Sequence, residues 1–387
     1  MLLIIATVDS LLKDSTKRRV CLPVLTRILP TVALAIAATI LLWPRDSGAQ
    51  ADKPSLAVTD DTVAFAIAPD NRVAYALRRL VHIKPYDLEH DDIFLTSSQG
   101  KKTRLAGVQK PAKDAVPFSY AIRSIAWSPD GHRMAVEADT LEVADAHSPA
   151  RESEKAFLLN DTDHDADIEA MRTAALDGAW QAAWLADNAT IVYLTESEKP
   201  KRRWQINMVR PGGGRAQPLF DGHTFAAVTW DAPRNVALAI EADANSAGPL
   251  KLVRLDLLQQ TRREIGVVTG YTTQLTVSLT GERVAWFRDR ENIEMRNLDS
   301  AAQATVVHIP YGHYEWGPDE TDFLVKRGEA KESGDIFWAR IADSQTQTIL
   351  HGLVFGDFQI SADGKYLGIF NPGRHGFQII PLPRAQW

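Results

Sequence analysis

A short apolar run, a tight turn of Pro-Asp-Gly character and a second apolar run recur seven times along this chain, and no other feature restricts its fold so strongly. The fullest copy is Ile122-Arg-Ser-Ile-Ala-Trp-Ser-Pro-Asp-Gly-His-Arg-Met-Ala-Val136. Weaker copies occupy 65–74, 183–188, 229–235, 277–285, 315–320 and 359–366. Taking the proline slot as marker (Pro69, Pro129, Ala186, Ala232, Leu279, Pro318, Ala362), successive copies stand 60, 57, 46, 47, 39 and 44 residues apart. Between turns, apolar and polar positions alternate and β-branched residues are frequent, which is the pattern of antiparallel strands. In the second copy the strand slots are 122–127, 133–138, 156–160 and 168–172; in the third they are 181–185, 190–195, 204–209 and 216–219. Gly281 and Gly364 fall where a left-handed residue closes a tight hairpin, and Asn71 and Asn188 are the next best tolerated types there. No sustained helical period follows Ala51; 166–176 is the nearest stretch to a short helix.

Four strands per unit at a period of about 40–50 residues is the signature of a β-propeller blade. The expected fold is therefore all-β: a seven-bladed β-propeller of four-stranded antiparallel blades. The seventh repeat supplies three strands, and a strand-like 55–58 stands before the first repeat without a blade of its own. Placed as the outer strand of the last blade, it would leave no open sheet edge. Trp127, Trp184, Trp230 and Trp316 share one register just before the turn, a position that packing between blades explains better than an aromatic ligand platform does.

The N-terminus reads as an export signal. A basic region (Lys17, Arg18, Arg19 and Arg27) precedes the apolar run 28–43, followed by Arg45-Asp46 and the small-residue pattern Ala49-Gln50-Ala51, which suits cleavage after Ala51. If retained instead, the run would anchor the protein to the inner membrane with the body outside. The expected organisation is a leader over 1–51 and a single propeller domain over 52–387, in an exported, periplasmic protein. Without the leader, 37 basic and 46 acidic residues remain, a net charge of −9 that gives no bulk attraction to nucleic acid or to anionic lipid. Cys21, the only cysteine, lies in the leader, so the body has neither disulfides nor thiol chemistry.

The run Ile-Ala-Trp-Ser-Pro-Asp-Gly followed by a Met-Ala-Val strand resembles the WD40-like repeat of TolB-type β-propellers, and such repeats cover about 55–382. The resemblance implies the architecture and, as bacterial proteins of this type often are, a binding scaffold of the cell envelope; it implies no activity. It does not extend to the α/β domain that precedes the TolB propeller, because only a few residues separate Ala51 from the first strand. The related peptidase domain would require a Gly-x-Ser-x-Gly nucleophile elbow, and the chain has none.

Long connections at 78–91, 106–121, 139–154 and 196–203 all fall on the face opposite the repeated turns, beside the first three repeats. They carry Arg78, Arg79, His82, Lys84, Tyr86, His90, Lys201, Arg202 and Arg203, a locally basic rim on an acidic body that could receive a protein or peptide partner rich in carboxylates. Asp161, Asp163, Asp165 and Asp167 alternate in the densest acidic stretch, a spacing that could gather oxygens for a structural Ca²⁺, although the turn glycine and distal glutamate of an EF-hand are missing. No other cofactor is expected. His308, His313 and His351 stand at or near strand ends in different repeats, where some could line a central channel. The function expected is that of a monomeric, non-catalytic binding or scaffold module; the alternative is a propeller lyase or hydrolase with a His/carboxylate site at the channel mouth.

Overall fold

The computed structural model describes residues 56–387 except 84–85, 98–99, 109–117, 143–149, 198–202, 213–214, 242–248, 270–272, 300–303, 329–331 and 371–375. The chain divides into two compact units, Met1–Ala51 and Asp52–Trp387; the leader expected over 1–51 lies outside the described residues. Among the described residues no helix is long and apolar enough to cross a membrane.

The second unit is nearly all β, and most of its strands fall into antiparallel groups of four in chain order; Ala166–Asp167 adds to the first group in parallel, and the single pair Trp204↔Phe225 joins the third group to the fourth. Group one is Thr62–Ile67, Val73–Leu77, Asp92–Thr96 and Lys102–Gly107; group two is Phe118–Trp127, Arg133–Glu142, Arg151–Asn160 and Leu176–Asp177. Group three is Trp180–Trp184, Ile191–Glu196, Trp204–Val209 and Gln217–Leu219; group four is Phe225–Asp231, Val236–Glu241, Leu250–Asp256 and Thr261–Val268. Group five is Thr273–Val277, Arg283–Phe287, Asn292–Asn297 and Thr305–His308; group six is Gly312–Trp316, Asp322–Arg327, Ser333–Arg340 and Thr346–Phe355. Group seven is Phe358–Ile360, Tyr366–Phe370 and Phe377–Pro381, and its fourth strand is the N-terminal Leu56–Val58, paired antiparallel with Phe377–Pro381 in the register Ala57↔Gln378.

Second strands are apolar almost throughout, as in Val236–Glu241 and Arg283–Phe287, because both of their faces are covered. The covering comes from the neighbouring groups. Separate hydrophobic clusters fill the space between groups one and two, two and three, three and four, four and five, five and six, and six and seven. A further cluster of Ile67, Val73, Tyr75, Phe377 and Ile379 packs group seven against group one. The first strand of group one touches those of groups two and seven, and that of group six touches those of groups five and seven.

Left-handed residues close the first hairpins at Asn71, Gly131, Asn188, Asn235, Gly281, Glu320 and Gly364. Where the residue is not glycine, its side chain also binds the turn of a neighbouring group, the preceding one for Asn188, Asn235 and Glu320. Asn188 accepts from Asp130 N–H (2.9 Å), Asn235 from Ala186 N–H (3.2 Å), and Glu320 from Thr280 N–H (2.6 Å), while Asn71 donates to Asp363 (3.2 Å). The tryptophans also join neighbours. Trp127 Nε1 donates to Ala66 O (3.1 Å), Trp230 Nε1 to Gln181 O (2.6 Å) and Trp316 Nε1 to Thr276 Oγ1 (3.2 Å), each in the preceding group.

Three stretches expected as loops carry strand instead. The connection 78–91 contains a hairpin, Leu80–Ile83 against Tyr86–Glu89. Strands of ten residues (Phe118–Trp127, Arg133–Glu142, Arg151–Asn160) carry group two beyond its neighbours, over parts of 106–121 and 139–154. Phe118, Tyr120 and Ile122 alternate with half-buried residues, the period of a strand with one covered face. The fourth strand of group two is Leu176–Asp177, not 168–172; Ile168–Met171 is a short helix whose N-terminal Glu169 N–H is capped by the Asp167 carboxylate (3.1 Å).

Candidate functional site at the inner strand ends

A cavity of about 490 Å³ opens where the first strands of groups one, two, six and seven begin, at the end away from the repeated turns. Its wall combines apolar residues (Val63, Phe65, Ile125, Phe358, Phe370) with Asp61, Arg78, Arg123, Ser124, His313, Glu315, Asp357 and Gln359. Backbone geometry helps to place these groups. The first strands of groups one to five each carry a bulge against the second strand, and in group two it falls between Ile122 and Ser124, at Arg123. A bulge bends its strand and re-aims the extra side chain.

The polar residues of groups six and seven occupy fixed positions, five and three residues before the proline slot: His313 and Glu315 in one, Asp357 and Gln359 in the other. The same two positions hold Ala64 and Ala66, Ser124 and Ala126, Gln181 and Ala183, Ala227 and Thr229, and Gln274 and Thr276 in groups one to five. Two of these side chains also tie neighbouring groups together. Ile360 N–H donates to Glu315 Oε2 (2.9 Å), and Ile67 N–H donates to Gln359 Oε1 (2.9 Å).

His313 lies between two carboxylates, with Nε2 3.7 Å from Glu315 and Nδ1 3.8 Å from Asp357. Burial pulls the imidazole pKa down, but adjacent Glu315 and the charge of Asp357 outweigh it, and the net direction is upward. Behind His313, in the paired position of the next strand, Lys326 is fully buried, and burial lowers its pKa against the opposing pull of Asp357 and Glu332. On the opposite wall Arg123 stacks on Trp180 at 4.0 Å and pairs with Asp139 (2.9 Å) and Glu137 (3.7 Å). Glu137 is buried, which raises its pKa, and it accepts from Ala182 N–H of group three. Asp91 does the same one group earlier. It is fully buried, accepts from Ile122 N–H (2.7 Å), and is pushed up to about 6 by burial. An adjoining groove of about 410 Å³ runs along the extended part of group two, lined by Glu89, Ser119, Asp139, Leu141, Glu152 and Glu154.

Of the basic-rim residues, Arg78 lines the cavity and stands 3.6 Å from Glu89, while Arg79 stands 3.7 Å from Asp92. His90 is buried, stacked on Tyr120 and bonded to Phe118 O, so it is part of the core under the hairpin and not of an exposed rim. Arg203 is half-buried before its strand. His82 and Tyr86 belong to the hairpin strands; Lys84, Lys201 and Arg202 lie outside the described residues. The four aspartates do not converge on one point. Asp161 binds Arg72 (2.8 Å) and His132 (2.9 Å), Asp163 accepts from Asn160 N–H (2.7 Å), Asp165 pairs with Arg104 (2.8 Å), and Asp167 caps the short helix. Among the described residues no group of three or more His, Asp or Glu side chains is arranged to hold a metal ion. His308 and His351 are exposed and away from the cavity.

No family model matches the chain, and no curated protein matches it. Among solved structures it is similar to the β-propeller domain of Cps50 (Swd1) from Myceliophteria thermophila, at 9% identity and a TM-score of 0.53, over 85% of this chain and 99% of that one. The fold of the second unit is that of a β-propeller.

Proposed function

We propose that this protein is an exported, non-catalytic, seven-bladed propeller of TolB-like repeats that recognises a protein or peptide partner in the bacterial cell envelope. Each four-stranded group is then one blade, and Leu56–Val58 is the clasp that completes the last blade and closes the ring; the cluster between groups seven and one supports that closure. The observation that carries the binding role is the cavity of about 490 Å³ at the inner strand ends. A propeller core needs only small or apolar side chains at the two inner positions, and blades one to four largely have them. Blades six and seven instead place His313, Glu315, Asp357 and Gln359 at a solvent-open mouth. Polar groups gathered in an open concavity on a rigid scaffold are the usual form of a recognition site. Arg78, Arg79 and Arg203 belong to the same reading as rim contacts.

The test is capture of envelope proteins on the immobilised full chain, comparing wild type with His313→Ala/Asp357→Asn and with Arg202→Glu/Arg203→Glu. A partner lost from the first variant supports the mouth as the binding face. An identical set of partners on all three proteins would refute both the mouth and the rim.

A second reading has one observation in its favour, the histidine flanked by two carboxylates in a cavity. In that reading His313 is the proton-transfer group of a lyase or hydrolase. Turnover of a carbohydrate or small ester that disappears in His313→Gln would support it, and turnover unchanged in that variant would exclude His313 from such a role.

A further inference from the structure

The charge balance around the mouth indicates what it binds. Three cationic side chains line the cavity, and carboxylates match or outnumber each of them. Arg78 faces Glu89, Arg123 faces Glu137 and Asp139, and His313 faces Glu315 and Asp357. Asp61 adds a further exposed carboxylate to the lining. Even with the imidazole charged, the lining and its immediate partners carry three positive and six negative charges. Lys326, behind the wall, is offset by Glu332. The carboxylates are also accessible: the side chains of Asp357 and Asp139 are 55% and 60% exposed. Asp139, the ion-pair partner of the cavity residue Arg123, lines the adjoining groove, where Glu152 and Glu154 extend the negative surface along blade two. A buried feature points the same way. His313 Nε2 is buried and both ring nitrogens face carboxylates, Glu315 at 3.7 Å and Asp357 at 3.8 Å, so the imidazole is turned toward its own two carboxylates and not toward a ligand.

We propose that the mouth and the groove together hold an extended peptide segment of the envelope partner that carries lysine or arginine, one cationic head at Asp357 and Glu315 and a second at Asp139, Glu152 and Glu154. Phe358 and Phe370 supply an apolar wall for the aliphatic stem of the first side chain. This inference rests on the mouth being the binding face and reverses the sign of partner that a basic rim alone suggests. Electrostatic matching of this kind sets specificity and weakens with salt.

Fluorescence anisotropy of labelled (Gly-Arg)₄ and (Gly-Glu)₄ octapeptides with the full chain tests it. The arginine peptide should bind about tenfold tighter than the glutamate peptide at low salt and lose most of that advantage as ionic strength rises. Asp357→Asn/Glu315→Gln, in which glutamine still accepts from Ile360 N–H, should weaken it about fivefold, and Glu152→Gln/Glu154→Gln about threefold. A charge-matched control at the exposed Asp221 and Glu282 (Asp221→Asn/Glu282→Gln) should change binding less than twofold. An equal loss in the control would reduce the effect to overall charge and overturn the proposal. Tighter binding of the glutamate peptide, abolished by Arg78→Gln, would overturn the cationic class and leave the mouth as the binding face. Binding of neither peptide, with an envelope partner still captured through His313 and Asp357, would do the same. Capture indifferent to the mouth, with no peptide bound, would remove both.

Discussion

Asp91 offers a sharp quantitative test, because it is a carboxylate with no solvent exposure that holds the neighbouring blade. Its Oδ2 accepts from Ile122 N–H beside the bulge that carries Arg123, and burial pushes its pKa from 3.8 up to about 6. The group therefore binds its proton more tightly in the folded chain than in the unfolded one. Its contribution to stability is fully present below the unfolded pKa and is lost as pH rises from about 4 through about 6. At about 1.4 kcal/mol per pKa unit, a displacement of this size removes about 2 to 3 kcal/mol between pH 4 and pH 7.5. Asp91→Asn keeps an oxygen for Ile122 N–H and removes the titration. Any fixed cost of putting the amide NH2 in place of Oδ1, which has no partner, is the same at both pH values and cancels in the comparison. Denaturant unfolding followed by tryptophan fluorescence should show the variant gaining about 2 to 3 kcal/mol relative to wild type between pH 4 and pH 7.5. Profiles parallel to within about 0.5 kcal/mol would refute the argument that Asp91 is an ionisable clamp in a dry interface.

Two other perturbations test the proposed closure and the contacts between neighbouring turns. Ala57 and Gln378 are directly opposite in the clasp, so Ala57→Cys/Gln378→Cys should form a disulfide readable by intact mass, with Cys21 the only other thiol. Closing so long a loop should stabilise by up to about 5 kcal/mol, and two free thiols in the folded, oxidised protein would contradict the clasp. Glu320 holds a left-handed turn position without being Gly or Asn, and its carboxylate binds Thr280 N–H and Arg283 in the preceding blade. Burial pushes its pKa up, but the Thr280 and Arg283 contacts outweigh this and hold it below the ordinary glutamate value, so its contribution is present above the unfolded pKa and is lost as pH falls through the folded one. Glu320→Ala should cost about 2 kcal/mol at pH 7 in a denaturant titration, while Glu320→Gly, which relieves the backbone, should cost less. Equal costs would show that the turn stores no strain.

The repeat made most of the architecture legible in advance. The spacing of the turns, the left-handed Gly and Asn positions and the stray strand before the first repeat all depend on local backbone chemistry, which the chain writes directly. What the sequence hid was the length of the strands in blade two and the hairpin at 80–89. There the alternation is diluted by Ser119, Asp87 and Glu89, and pairing with a neighbouring strand decides the outcome. The mouth was harder to see because its members come from four blades far apart in sequence. Its one visible signal was column-wise: His313, Glu315, Asp357 and Gln359 stand at inner positions where most other repeats carry Ala, Ser or Thr. His90 misled for the opposite reason, since a histidine beside arginines in a connection looks exposed until the hairpin folds over it. The aspartate run was equally ambiguous, because alternation within one strand end says nothing about the arginines of blade one that claim Asp161 and Asp165.

In the proposed function the open inner strand ends, and not the face of repeated turns, receive the partner. Hydrogen exchange of the full chain alone and with any partner captured from envelope extract tests this. Exchange should slow in Gly312–Trp316 and Phe358–Ile360, together with residues 121–124 and the extended hairpin of blade two. Slowed exchange confined to the turns at Asn71, Gly131, Asn188, Asn235, Gly281, Glu320 and Gly364 would place the partner on the opposite face and contradict it.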